Sequence, residues 1–87
     1  MAIFLIPTLL VPFTGGEQRV DVPGRTIGEC INALNERYPG IRDRLVEDGE
    51  LDPSLAVSID GELGLQGVLE PVSPTAEVVI IPAISGG

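Results

Sequence analysis

The 87 residues predict an α+β domain with one main helix across one face of a mixed sheet of four to five strands. Three observations carry this. Ile27, Ile31, Leu34 and Tyr38 recur at helical spacing. Val20 and Val22, and later Leu55, Val57 and Ile59, alternate with polar or small residues as half-buried strands do. The run AEVVIIPA (76–83) is continuous, apolar and β-branched, the pattern of a strand buried on both faces in the middle of a sheet.

Taken in order, residues 2–11 are strongly apolar and predict a first strand, with a bend or unpaired position at Pro7, which has no N–H. PFTGGE (12–17) predicts a turn, and QRVDV (18–22) an antiparallel partner for the first strand. Thr26 and Glu29 have capping-box spacing, so the helix should start at 27 and end near 38, before Pro39-Gly40. IRDRLVED (41–48) has room for a further helical turn, and EDGELDPS predicts a loop. LAVSID (55–60) is the third strand and Asp60-Gly61 a turn signal. Residues 62–74, rich in Gly and Pro, leave space for one short strand. If the first and last strands pair in parallel, this order gives a β-grasp, ubiquitin-like fold. Ile27, Ile31, Leu34, Val57, Ile59, Val78 and Ile80 would form its core.

Composition narrows the function. An apolar fraction of 44% suits a single packed domain over 1–87. No apolar run approaches the ~20 residues that span a bilayer, and no leader pattern stands at the start, so the expected location is the cytoplasm. A formal charge of −8 disfavours nucleic acid as a partner. With no histidine, the chain has no Ser-His-Asp or Cys-His mechanism and no His-ligated metal site of its own. With no lysine, it can form no Schiff base and accept no isopeptide bond on a side chain.

The candidate sites thin out accordingly. Cys30, on the apolar side of the helix and next to Glu29, reads as a buried small hydrophobe rather than a reactive thiolate. Glu47 to Asp52 lacks the spacing of a calcium loop and reads as a solvated acidic loop. Gly61, Gly64 and Gly67 precede no helix that would cradle a phosphate, and read as turn glycines. Gly86-Gly87 remains. Such a pair adds nothing to a core, but residues without Cβ can thread a narrow channel and deliver a free carboxylate. Residues 83–87 are therefore expected to form a flexible tail that carries the carboxylate up to roughly 16 Å beyond Pro82.

With the capping box, TIGECINALNERYPGIRDRL (26–45) and the ending IIPAISGG (80–87) in view, the sequence resembles the MoaD/ThiS family of ubiquitin-like sulfur carriers over essentially its whole length. IPTLLVPFTGGE (6–17) is most similar to the branch serving cysteine biosynthesis. The resemblance implies a protein co-substrate rather than an enzyme, with no bound cofactor. An E1-like enzyme would use ATP to adenylate Gly87, which a sulfur donor then converts to a thiocarboxylate, with Gly86 needed for threading. In the cysteine branch the sulfur adds to an aminoacrylate held on pyridoxal phosphate by a cysteine synthase, and a metalloprotease frees the product. In the molybdenum branch the tail enters the large subunit of molybdopterin synthase. A ubiquitin-like modifier, or a β-grasp interaction domain with an idle tail, stays open beside these. Residues 60–75 match the family weakly.

Overall fold

A computed structural model describes residues 1–82. The expected tail, 83–87, and with it Gly86 and Gly87, lies outside the described residues. The main sheet comprises β1 (Ala2–Leu5), β2 (Arg19–Val22), β5 (Leu55–Ile59), β6 (Glu62–Leu63) and β7 (Glu77–Pro82), in the order β2-β1-β7-β5-β6. β1 pairs with β7 in parallel, and the other neighbours are antiparallel. Helix α1 (Ile27–Arg37) lies on one face, followed by the short α2 (Arg42–Leu45) and a separate hairpin of β3 (Val46–Glu47) and β4 (Glu50–Leu51). This is the expected β-grasp.

Local chemistry sets the helix limits. The Thr26 hydroxyl accepts from the Glu29 N–H at 3.2 Å, and the Glu29 carboxylate accepts from the Arg25 N–H at 3.1 Å, one residue before the reciprocal position of an ideal capping box. At the other end, Asn35 Oδ1 accepts from the N–H groups of Gly40 and Arg42, both at 3.0 Å, and folds the Tyr-Pro-Gly turn back against the helix. Ile27, Cys30, Ile31 and Leu34 then face Phe4, Val20, Val22, Val57, Val78 and Ile80 in one core. Of the expected core residues only Ile59 is less than fully buried; it packs against the cluster's margin.

Four expectations change. The apolar stretch 2–11 is not one strand: pairing stops at Leu5, and Thr8–Thr14 forms a 3₁₀ segment. Pro7, at φ −66°, cannot donate to a ladder, and its carbonyl instead accepts from Leu10 and Val11. Residues 47–51, within the stretch 47–54 expected as a loop, form with Val46 the β3–β4 hairpin, turned by Asp48 (φ 54°) and Gly49 (φ 79°). The last strand is central but buried on one face only. Val78 and Ile80 are buried, Val79 is half-buried, and Ile81 on the opposite face is 39% exposed. Gly64 is not a positive-φ turn residue; a Cβ there would lie 3.1 Å from Val57 Cγ2 and 3.2 Å from Glu70 Cγ.

Two substitutions test this packing by urea denaturation. Leu34 is fully buried, so Leu34→Ala should cost about 2–5 kcal/mol; an effect near zero would put the helix's apolar face elsewhere. Gly24 combines φ 147° with a Cβ position 2.7 Å from both the N and Sγ of Cys30. Gly24→Ala should therefore destabilise more than Gly15→Ala, where nothing lies within 4 Å; equal effects would contradict the close approach of loop to helix.

Candidate functional site

β7 pairs with β1 from Glu77 to Val79 and with β5 from Val78 to Pro82. Pro82, the last described residue, is thus placed in the sheet by its pairing with Leu55. Pro82 opens onto a groove of about 340 Å³, lined among others by Pro7, Leu9, Phe13, Arg44 and Leu55. The 3₁₀ segment builds one wall. It is held by buried Thr14, whose hydroxyl lies 2.9 Å from the Val11 carbonyl and 2.6 Å from that of Glu17. Leu9, 74% exposed, and the Phe13 ring stay at the surface, and the Arg44 guanidinium stands over that ring at 4.9 Å from its centroid. Opposite, Asp52 Oδ1 accepts from the N–H and hydroxyl of Ser54 at 2.8 and 2.6 Å, which holds its carboxyl below the ordinary value. The end of the described chain thus borders a largely apolar groove, with the Arg44 guanidinium and the Asp52 carboxylate at its rim.

The sheet face away from α1 is largely apolar. The registers place Ile3, Leu5, Val79, Ile81, Ala56 and Leu63 on it, together with Ser58 and Glu77, and with Arg19 and Asp21 along one border. No helix covers this face among the described residues, and it runs directly into the strand that ends at Pro82. No sequence pattern joins Pro7 and Phe13 to Arg44 and Leu55; three segments distant in sequence meet only in the fold. The bend at Pro7 was the one local sign of this groove.

Cys30 is fully buried beneath Gly24, as expected. Burial foremost, and Glu29 beside it, push the thiol above its ordinary value. Among the described residues no group of three or more His, Cys, Asp or Glu side chains could hold a metal ion, and no helix is long and apolar enough to cross a membrane. What the described domain offers is an anchored exit for the chain, with two apolar surfaces beside it.

The family model described as "ThiS family" matches residues 4–87, through both terminal glycines. The chain belongs to the ThiS family. Its relatives within and beside the family divide in two by name. The sulfur carrier protein CysO of Mycobacterium tuberculosis is 33% identical, with 94% of each chain covered. The crystal structure of the Amycolatopsis orientalis BexX/CysO complex contains a chain with a TM-score of 0.93 and 32% identity, covering all of both chains. Small archaeal modifier protein 3 of Haloferax volcanii is 31% identical over 71% of this chain and 70% of its own. The ThiS-family fold is thus shared by proteins named as carriers and as modifiers. The CysO relatives are named sulfur carriers, small protein co-substrates rather than enzymes.

The buried thiol gives a pH test with a definite sign. A folded-state pKa raised above the unfolded one adds stability that is complete below the unfolded value, ordinarily near 9.0, and is lost as pH rises toward the folded one. Unfolding free energy should therefore fall more steeply above about pH 9 in the parent than in Cys30→Ala. Parallel pH profiles would show that Cys30 reaches solvent in the native state.

Proposed function

We propose that this protein is a sulfur carrier, whose Gly87 carboxylate is activated and converted to a thiocarboxylate for use in biosynthesis, most specifically of cysteine. The observation that carries the reading is the central strand β7, flanked by β1 as far as Val79 and by β5 as far as Pro82, with a family match that runs on through Gly87. A CysO relative with 94% coverage supports the cysteine branch.

The chemistry follows from what a carboxylate lacks. Its oxygen is a poor leaving group. In the first step a Gly87 oxygen attacks the α-phosphorus of ATP on an E1-like enzyme, forming the acyl-adenylate and releasing pyrophosphate. Sulfide, or a persulfide donor with a reductant, then displaces AMP and leaves C(=O)–S⁻. A thioacid is ionised at neutral pH and its sulfur is a soft nucleophile. It can therefore attack an electrophilic carbon held by a pyridoxal-phosphate cysteine synthase, giving a thioester whose acyl group passes from sulfur to the amine of the new amino acid and frees its thiol. Hydrolysis of the resulting peptide bond by a metalloprotease would release that amino acid and restore the Gly87 carboxylate. ATP and pyridoxal phosphate belong to the partners; this chain binds no cofactor of its own. Gly86 serves passage, because a residue without Cβ lets the arm enter a narrow channel in many backbone conformations.

The chain's own contribution is geometric. The groove and the apolar sheet face flank the exit of the tail, so an enzyme that holds Gly87 must also lie against them. Burying such apolar surface anchors the carrier while the arm reaches the chemistry. The Haloferax volcanii relative supports a second reading, in which the same activated Gly87 is joined to lysines of other proteins.

Removal of Gly87 tests the first reading. It should abolish charging by a cognate activating enzyme with ATP and sulfide while leaving Tm unchanged, as read by intact mass and thermal denaturation. Gly86→Val should fold normally and charge slowly, since a β-branched residue widens the arm and restricts its backbone. Undiminished charging of the deletion variant would refute the mechanism. Accumulation of high-mass conjugates that a lysine-specific isopeptide analysis traces to Gly87 would favour the modifier.

A further inference from the structure

The formal charge of −8 is not spread along the chain. Residues 1–44 carry five arginines and five carboxylates, whereas residues 45–87 carry eight carboxylates and no basic residue. In the fold, the second half supplies β5, β6, β7, the β3–β4 hairpin and a second 3₁₀ segment, Gly67–Leu69. Within this acidic half lies a groove of about 540 Å³ lined by Gly49, Glu50, Leu51, Leu65, Val68 and Leu69, with Gln66 and Gly67 between. It shares no residue with the groove at the root of the tail.

Two of its leucines are conspicuously unburied: Leu65 is 85% exposed and Leu69 is 71% exposed. They do not stand on a loose loop. The Gly64 N–H donates to the Val57 carbonyl at 2.8 Å, and the Ile27 N–H to the Glu70 carbonyl at 3.0 Å, tying the segment to the sheet at one end and to α1 at the other. Between these ties, Leu69 and Glu70 donate to Gln66 and Gly67, both at 3.1 Å, and Glu70 Oε2 accepts from the Gln66 N–H at 3.0 Å. The backbone thus holds both leucines outward. A surface ordered in advance loses little entropy on binding. Glu50 lines the groove, Glu47 and Asp48 lie on the same hairpin, and Glu70, next to Leu69, lines a separate pocket with Glu62 and Asp60.

We infer that the Leu65–Leu69 groove is a docking surface for the enzyme that adenylates the tail, which presents there an apolar socket rimmed by arginine and lysine. The inference rests on the proposed carrier function. Charge complementarity selects this occupant. The enzyme must bring a carboxylate up to a polyphosphate, two anions that repel, so it must present cationic surface around them. The neutral half of the chain has no matching field, whereas the acidic half steers onto such a surface and presents its two leucines at the centre. An anionic membrane or a nucleic acid would be repelled by the same carboxylates.

The experiment uses the full chain and its activating enzyme in two measurements: binding without ATP by calorimetry, and charging kinetics with ATP and sulfide by intact mass. Leu65→Ser/Leu69→Ser should weaken binding and raise KM for the carrier by about tenfold or more, with kcat and Tm unchanged. Glu47→Lys/Glu50→Lys should do the same at low salt, with the difference shrinking as ionic strength rises. Unchanged binding and KM in both variants would overturn the docking surface while leaving the carrier function standing. Binding that depends on the groove, with a parent chain that is never charged, would uphold the surface and overturn the function. Self-association of the parent that is lost in the leucine variant, without a change in KM, would identify a second copy as the occupant and overturn the inference.

Discussion

The parallel pairing of β1 with β7 is the constraint on which the rest depends. Parallel neighbours cannot be joined by a tight turn, so the chain between them must cross over the sheet. That crossover carries α1, whose apolar stripe closes one face. The same pairing puts the last strand in the middle of the sheet, with β5 on its other side. It is paired on both sides through Val79 and with β5 alone from there to Pro82, so the position of Pro82 is set by the domain.

One face of this sheet is devoted to stability and the other is left for contact. Val78 and Ile80 point into the core, while Val79 and Ile81 alternate with them on the uncovered face. The groove at Pro82 and the acidic leucine groove add two further surfaces built by separate segments. A carrier needs such a division. Its core must hold while its surface is engaged and released by successive enzymes, and contacts strengthened by steering charge give fast encounter without requiring very tight binding.

The helix was legible because its signals agree: Thr26 and Glu29 at the start, four apolar residues in step, and Pro39-Gly40 at the end. The hairpin at 46–51 was not, since two-residue strands carry too little periodicity and the acidic composition resembles a loop; Asp48-Gly49 was its only local mark. The stretch 2–11 misled because a continuous apolar run fits a strand as well as a 3₁₀ segment that buries Leu10, and only Pro7 separates the two. Val79 and Ile81 read as buried because an apolar residue on an uncovered sheet face looks the same in sequence as one in a core. The terminal glycines stand out by position and by the family resemblance, and the family match includes both. The groove beside Pro82 was not legible, because Pro7, Phe13, Arg44 and Leu55 come together only through tertiary structure.

The central claim of the proposed function is that the transferred sulfur resides on the terminal carbonyl of Gly87. The most direct measurement is fragmentation of the intact chain in a mass spectrometer after charging with the activating enzyme, ATP and isotopically labelled sulfide. The account predicts the label only in fragments that contain Gly87, and none in those that contain Cys30 without the terminus. Label on Cys30, or on any fragment that ends before Gly87, would contradict it.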